Sequence, residues 1–515
     1  MRNDLKYFVL LCAFVSLWFN SFSQQKPFVL KADKFMHYVD YFNKMEDENI
    51  KQAIPNDSAW AWMKKNIPLF ECPQQNFEEM FYYRWWTLRK HIRKTEKGYV
   101  FTEFLVQRSY ADKYNLISSA LGHHIYESRW LHDKKYMDDN LHVWLRGNNG
   151  KPMNRLRFYS GWYADAIYNR WLVNQDNKFI IDILPDLEND FVEWGKEKRS
   201  ANGLYWQYDV RDAMEETISG GRREKNPRPS INGYMYGNAM ALAKMNVFGG
   251  ATVLDVVEYK LAADSIKKLV QAQLWNSNHY FFEVRKEQGD TLANVREEIG
   301  FIPWYFNLPD SNYNVAWKWL MDKKTFCAPF GITTADRSHP QFRTHGCCNC
   351  EWDGAVWPFA TSQTLTAMAN LMNNYKQDYV ADTNYFDLLE TYVESQYYRG
   401  RPYIGEYLDE KTGYWLKGDE ERSRYYNHST FNDLIITGLV GLRPRADDKI
   451  EVNPLLPDNK WDWFCLDNIL YHGKIITIVW DRDGTKYKKG KGLQVFVNGK
   501  KAAASNKLEK VTGKL

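Results

Sequence analysis

Beyond the first two dozen residues, no apolar run approaches the ~20 residues that a membrane span needs, which excludes a polytopic membrane protein. Neither charge sign dominates: 68 Lys and Arg stand against 64 Asp and Glu, a balance of +4. With 44% apolar and 26% charged residues among 515, disordered and collagen-like classes are excluded as well. Cysteine is scarce, at 7, and Cys347-Cys348-Asn349-Cys350 has no second C-x-x-C or His pair to complete it. A structural zinc takes four ligands and His345 is the sole helper nearby, so no metal or other cofactor is expected. No strict period repeats along the chain, which argues against a regular solenoid.

Aromatics, by contrast, are abundant: 21 Trp, 34 Tyr and 28 Phe make up 16% of the chain. Most of these rings must be core, with enough left over to line a groove where flat faces stack on sugars. At the start, Arg2 and Lys6 flank the apolar Tyr7–Phe19, and Ser21-Phe22-Ser23 supplies small residues before Gln24. That is the layout of a secretory signal peptide over residues 1–23, so the protein is expected to be exported, periplasmic or extracellular. Cys12 sits mid-run after Leu11, which does not suit a lipid anchor. Six cysteines remain after cleavage, and in an oxidising compartment some could pair. Nine lysines between Lys486 and Lys514 face one acid, Glu509, so the basic excess is confined to the tail and the rest is acidic. Neither a nucleic acid nor a membrane is expected as partner, since such surfaces spread basic charge over a folded face.

From about residue 75 to 440 the pattern is helical. Trp162, Ala166, Ile167, Trp171 and Leu172 form one apolar face, and Asn232–Met245 reads as a helix broken by Gly249-Gly250. Asp255–Gln273 resumes with Val257, Leu261, Ile266 and Leu269 pointing inward, and Thr361–Met372 and Tyr385–Tyr398 supply two more helices. Helix, loop, helix, then an aromatic loop, repeated over ~360 residues, suggests paired helices closed into a toroid. After Pro444 the texture alternates: Ile476, Ile478 and Trp480, then Leu493, Val495 and Val497 before Asn498-Gly499, a strong hairpin signal. The expected organisation is a leader (1–23), an N-terminal extension (24–75), a helical domain (76–445) and an antiparallel β-module (446–515) whose Lys-rich end is expected to be mobile.

Three loops concentrate carboxylates, Trp and Gly as a helical core would not require. The first carries Trp206, Asp209, Arg211, Asp212, Glu215 and Glu216 before Gly220-Gly221. A buried acid crowded by other carboxylates has a raised pKa and can donate a proton, whereas the plain alternative is a solvated acidic loop. The second runs from His345 through Trp352-Asp353-Gly354 to Trp357-Pro358, either a platform for a sugar ring or two structural tryptophans. The third holds Gly405-Glu406-Tyr407 and Thr412-Gly413, with Asn427-His428-Ser429 downstream. Glu406 supplies the second carboxylate of a two-carboxylate hydrolase.

In this order the motifs resemble the (α/α)6-barrel glycoside hydrolases related to family 63 and the mannosylglycerate hydrolases, over residues 75–455. Met214-Glu215-Glu216-Thr217 matches the family's acid segment, with Glu where the family usually carries Asp, so Asp212 stands as a rival acid. Trp352-Asp353-Gly354-Ala355-Val356-Trp357 matches its W-x-G-x-x-W substrate wall, and Glu406 through Thr412-Gly413 resembles its base loop. The resemblance implies a mainly α fold, an (α/α)6 toroid with a small C-terminal β-module, and an inverting mechanism. Glu215 would be the acid and Glu406 the base, with no metal. Trp206, Arg211, Asn232, Tyr234, Trp352, Trp357 and His428 would grip an oligosaccharide or polysaccharide. An exo-acting α-glucosidase or α-mannosidase is the expectation. Two readings compete: a non-catalytic carbohydrate-binding protein, and a lyase or unsaturated-uronide hydrolase drafting Arg84, His91, His123 or His124.

Overall fold

The computed structural model describes residues 27–248, 253–346 and 350–515. The expected leader, the Gly249-Gly250 break and the Cys347-Cys348 pair lie outside the described residues. Helices α1 (Met36–Lys44) and α2 (Ala59–Asn66) and strand β1 (Leu69–Glu71) precede α3 (Gln75–Lys90).

From α3 onward, helices alternate between an outer and an inner ring. The pairs are α3 with α4 (Leu121–Ser128), α5 (Lys135–Arg146) with α6 (Tyr163–Asn174), and α7 (Asn177–Lys198) with α8 (Pro229–Met245). They continue as α9 (Val253–Gln273) with α10 (Ile302–Tyr305), the 3-10 segment Ser311–Trp319 with α11 (Pro358–Asn374), and α12 (Asp382–Ser395) with a final wide-turned helix, Leu434–Leu439. The inner members are buried almost all round: every residue of α4, α10 and Leu434–Leu439, and nearly all of α8. A helix buried on all sides sits inside the protein and not on its surface. This is an (α/α)6 toroid. Outer α3 is also nearly all buried, because α1 and α2 cover it.

One carboxylate closes the ring. Glu127, at the end of α4, accepts the backbone N–H groups of Phe431 (3.1 Å), Asn432 (2.8 Å) and Asp433 (3.1 Å) at the start of the last inner helix. Asp433 in turn receives Arg129 Nη2 at 2.8 Å and the Trp130 indole N–H at 2.6 Å. A carboxylate at a helix N-terminus satisfies orphan donors and opposes the dipole.

On α9 the buried stripe is Ala263, Ile266 and Val270 with Leu269 half-buried, so two of the four expected residues point inward and two do not. Val257 and Leu261 are 41% and 62% exposed. The helix packs on α8 along one side alone, so the apolar residues on its other side find no second layer. Tyr397-Tyr398, expected to end a helix, instead open a two-residue strand after α12 stops at Ser395.

The module beyond comprises β2 (Leu442–Arg443), β3 (Lys449–Val452), β4 (Trp463–Tyr471), β5 (Lys474–Asp481), β6 (Gly492–Val497), β7 (Lys500–Ser505) and β8 (Val511–Lys514). One antiparallel sheet has the order β1-β4-β5-β6-β7 and a second the order β2-β3-β8. Strands β5 and β6 are buried on both faces, so Thr477 and Val479 are core as well as Ile476 and Ile478. Asn498 and Gly499 take φ of 48° and 75°, the left-handed pair that a tight hairpin requires.

One expectation is corrected. The Lys-rich end is not a loose tail, because β8 pairs with β3 from Lys449↔Lys514 to Val452↔Val511. The N-terminal extension docks on this module: β1 pairs with β4, and Asp467 accepts the N–H groups of Phe28, Val29 and Leu30. Cys72, Cys327, Cys350 and Cys465 are free thiols.

Asp433→Ala would strand the buried Arg129 charge and the Trp130 N–H, costing about 3–5 kcal/mol. Urea unfolding should read this as a lower midpoint at an unchanged slope, and a wild-type midpoint would refute the closure role.

Candidate active site

The loops singled out by sequence all lead into the N-terminal ends of inner helices. Residues 203–228 precede α8 and 336–357 precede α11; Pro229 and Pro358 occupy the first helical position, where no N–H is needed. Residues 402–430 lead into the last helix, and a further loop that sequence reasoning passed over, 102–120, leads into α4.

Backbone hydrogen bonds stitch the loops together. Trp352 N donates to Glu215 O (3.3 Å), Val356 and Leu408 exchange two bonds at 3.0 Å, and Asn427 N reaches Glu103 O (3.0 Å). The stitching is done under strain: Ala213, Glu216, Cys350 and Tyr425, none of them glycine, have φ between 61° and 68°. Such residues persist where the surroundings over-determine them, most often at working sites.

Three carboxylates share this space. Glu215 is recessed between Ala213 and Glu216; burial first, then the nearby Glu406, pushes its pKa up to about 7. Glu406 is buried between two cations, with Lys417 Nζ at 3.5 Å and Arg422 Nη2 at 3.4 Å, and accepts the Ser423 hydroxyl at 3.3 Å. The third is Glu103, which sequence reasoning missed. Its oxygens accept Tyr426 Oη (2.5 Å) and Ser119 Oγ (2.8 Å), and burial together with Glu406 and Glu215 lifts it to about 7. Its signal was a single acid inside the apolar run Tyr99–Leu105, easily read as a turn residue.

Cys350 ties the group together. Its Sγ lies 4.0 Å from Glu406 Oε1 and 3.4 Å from Lys417 Nζ, and burial plus both Glu215 and Glu406 push the thiol up to about 12.

Residues 113–429 match the family model of the mannosylglycerate hydrolase MGH1-like glycoside hydrolase domain. The chain belongs to this family. Residues 442–503 match the C-terminal domain of glycosyl hydrolase family 65. A solved structure named "Sialidase" is 61% identical, covers 95% of this chain and superposes with a TM-score of 0.93. The match takes up 45% of that longer chain, so this chain spans under half its length. The family 63 mannosylglycerate hydrolase of Thermus thermophilus, solved with glucose, is 11% identical, with a TM-score of 0.53 over 69% of this chain and 99% of its own. The family 78 rhamnosidase of a Bacillus species is 12% identical, with a TM-score of 0.58 over 84% of this chain and 41% of its own. These two share the fold alone.

The remaining candidates differ in how the structure places them. Trp352 stacks on Trp357 at 4.6 Å and Trp357 on Tyr407 at 4.6 Å, giving a buried aromatic wall beside Glu406. His428 packs 3.8 Å from Tyr426, and burial holds its ring far below the usual histidine range, hence neutral. Trp206 and Arg211 are half-exposed, with the Arg211 guanidinium 3.3 Å above the Phe158 ring.

Three expected roles need correction. Asp212 is sealed in an ion pair with Arg228 Nε (2.9 Å) and bonds Ser230 Oγ, so it props the loop instead of facing the cavity. Asn232 spends its amide on Tyr205, donating to its carbonyl at 2.7 Å and accepting its N–H at 2.8 Å. Tyr234 is core, with its hydroxyl bonded to Gln363 at 2.9 Å and its ring on Trp162. Glu216 turns outward to Arg222 at 3.0 Å.

The residues drafted for a lyase are structural too. Arg84 bonds Gln396 and Ser429, His91 and His124 bond the backbone carbonyls of Tyr425 and Asn427, and burial lowers the pKa of all three histidines, His123 included.

Because the folded-state pKa of Glu103 is raised, its protonated form is favoured. Its stabilising contribution is complete below about pH 4.5 and lost as pH rises through about 7. Glu103→Gln should therefore match the wild type near pH 4 and exceed it by about 1–3 kcal/mol at pH 8. Denaturant midpoints across that range test this, and a pH-independent difference would refute it.

Proposed function

We propose that this glycoside hydrolase is an inverting, exo-acting α-glycosidase with Glu215 as general acid and Glu406 as general base. The observation that carries the reading is the contrast between the two carboxyls of one cavity. Glu215 is lifted to about 7, so about half of it is still protonated at pH 7, while Glu406 lies between Lys417 and Arg422. Environments that differ in this way assign acid and base.

Glu215 protonates the glycosidic oxygen as the bond to the anomeric carbon breaks. Glu406 takes a proton from a water attacking the opposite face. Among the described residues no hydrogen bond joins the two carboxyls, and Cys350 lies in the field of both, in keeping with the wider spacing of ~6.5–9.5 Å that admits a water. The Trp352–Trp357–Tyr407 wall supplies ring contact, and the closed, loop-stitched surroundings suit a chain end better than a chain middle. The mannosylglycerate hydrolase and rhamnosidase among the structural relatives give the candidate sugars, with α-mannoside or α-glucoside first. Export through residues 1–23 belongs to the same proposal; an isolated mature chain would begin at Gln24.

Proton NMR of the anomeric region during turnover of α-linked oligosaccharides should show the β-anomer first. Glu406→Gln and Glu215→Gln should each lower kcat by about 10²–10⁴-fold, and Glu215→Gln should remove the alkaline limb near pH 7. An α-anomer appearing first would overturn inversion. Equal binding by wild type and variants with no turnover of any α- or β-linked glycoside would favour a carbohydrate-binding protein.

A further inference from the structure

Beside the acid runs a band of cations that the mechanism does not use. Lys225 and Lys198 lie over the Trp206 ring at 5.2 Å and 4.1 Å. Arg211 stacks on one ring, Phe158, at 3.3 Å, and Arg155 lies 4.8 Å from the same ring. Arg155 donates to the Tyr110 carbonyl, and Arg108 stacks on the Tyr110 ring at 5.2 Å and bonds its hydroxyl at 3.3 Å. All of these side chains reach solvent.

Among the described residues, none of the five cations forms an ion pair, whereas other solvent-reaching arginines such as Arg146, Arg285 and Arg445 do. They also repel one another. Burial first, then Arg211 and Lys225, disfavours the charge on Lys198, which Glu197 partly offsets; burial and then Arg155 disfavour that on Arg211. Like charges crowded together destabilise a fold and create a positive potential. Stacked guanidiniums are well suited to planar, bidentate grip of a carboxylate.

The band opens on the catalytic space. Arg211 feels Glu215, and Tyr110 feels both Glu103 and Glu406. It also sits on the acid's own side, because Arg211 and Trp206 share the loop of Glu215. An acid faces the leaving-group oxygen, so the band flanks the leaving group and not the sugar held by the inner wall.

We infer that the substrate's leaving group is an acidic sugar, its carboxylates gripped by Arg211, Arg155, Arg108 and Lys198 while its ring stacks on Trp206. This rests on the acid–base reading of Glu215 and Glu406 for the side on which the acidic sugar lies. Binding itself does not depend on turnover.

Titration calorimetry on Glu215→Gln, with tetragalacturonate as the probe, tests it at 20 mM and 200 mM NaCl. Tetragalacturonate should bind and weaken about tenfold or more at the higher salt, since exposed charges are screened there. Its carboxyl-reduced counterpart should bind at least tenfold more weakly. The variant that also carries Arg108→Gln, Arg155→Gln and Lys198→Gln should lose that preference to within about twofold, with a thermal midpoint confirming that it is folded. Equal binding of the two probes to Glu215→Gln would overturn the inference, as would an undiminished preference in the quadruple variant. Tighter binding of a sulfated tetrasaccharide than of tetragalacturonate would overturn the assignment to carboxylates. If acidic binding holds but no anomer is released in the NMR assay, the acid–base reading fails and the anion site stands.

Discussion

The whole structure depends on closing a ring. Inner helices arrive one after another along the chain, and each can bury its apolar surface only against the next. The last must therefore meet the first, and the join is polar: Glu127 takes the N–H groups that open the final helix, and Arg129 and Trp130 converge on Asp433. Buried charges are tolerated when every partner is present, and here the partners come from sequence positions about 300 apart. The closure holds the loop that carries Glu406 and His428 opposite the segment that carries Glu103.

Once closed, the ring gathers the loops at the N-terminal ends of its inner helices, and that concentration decides the chemistry. Three carboxyls in one low-dielectric space cannot all be ionised cheaply, so burial and mutual repulsion favour the protonated forms of Glu215 and Glu103. Glu215 and Glu103 are lifted to about 7, while Lys417 and Arg422 face Glu406. The left-handed residues Ala213, Glu216, Cys350 and Tyr425 record what this costs the backbone. Cations without an ion pair, Arg108, Arg155 and Arg211, lie on the acid's side of the same loops.

Much of this was legible in the chain itself. The toroid followed from helix, loop, helix, loop with an aromatic at each break, and the β-module from alternation and Asn498-Gly499, because both patterns are local. The carboxylate loops were also legible, since acids crowded beside Trp and Gly have no place in a helix interior. What misled was partner choice. Asp212, Asn232 and Tyr234 lie in or near the right loop, yet each is tied to a neighbour, Arg228, Tyr205 and Gln363. The basic tail looked loose because nothing within it indicates that Val511–Lys514 pairs with Lys449–Val452.

The sequence alone, then, determined the paired-helix pattern, the β-module and the loops that hold Glu215 and Glu406, because periodicity and turn chemistry act over a few residues. Only the tertiary structure decided which carboxyl keeps its proton, which aromatic forms a wall and which a core, and that Glu103 belongs to the site. Those outcomes depend on burial and on charges brought together from distant parts of the chain. Tyr426 and Ser119 reach Glu103 from 323 and 16 residues away, and no local pattern encodes such a meeting.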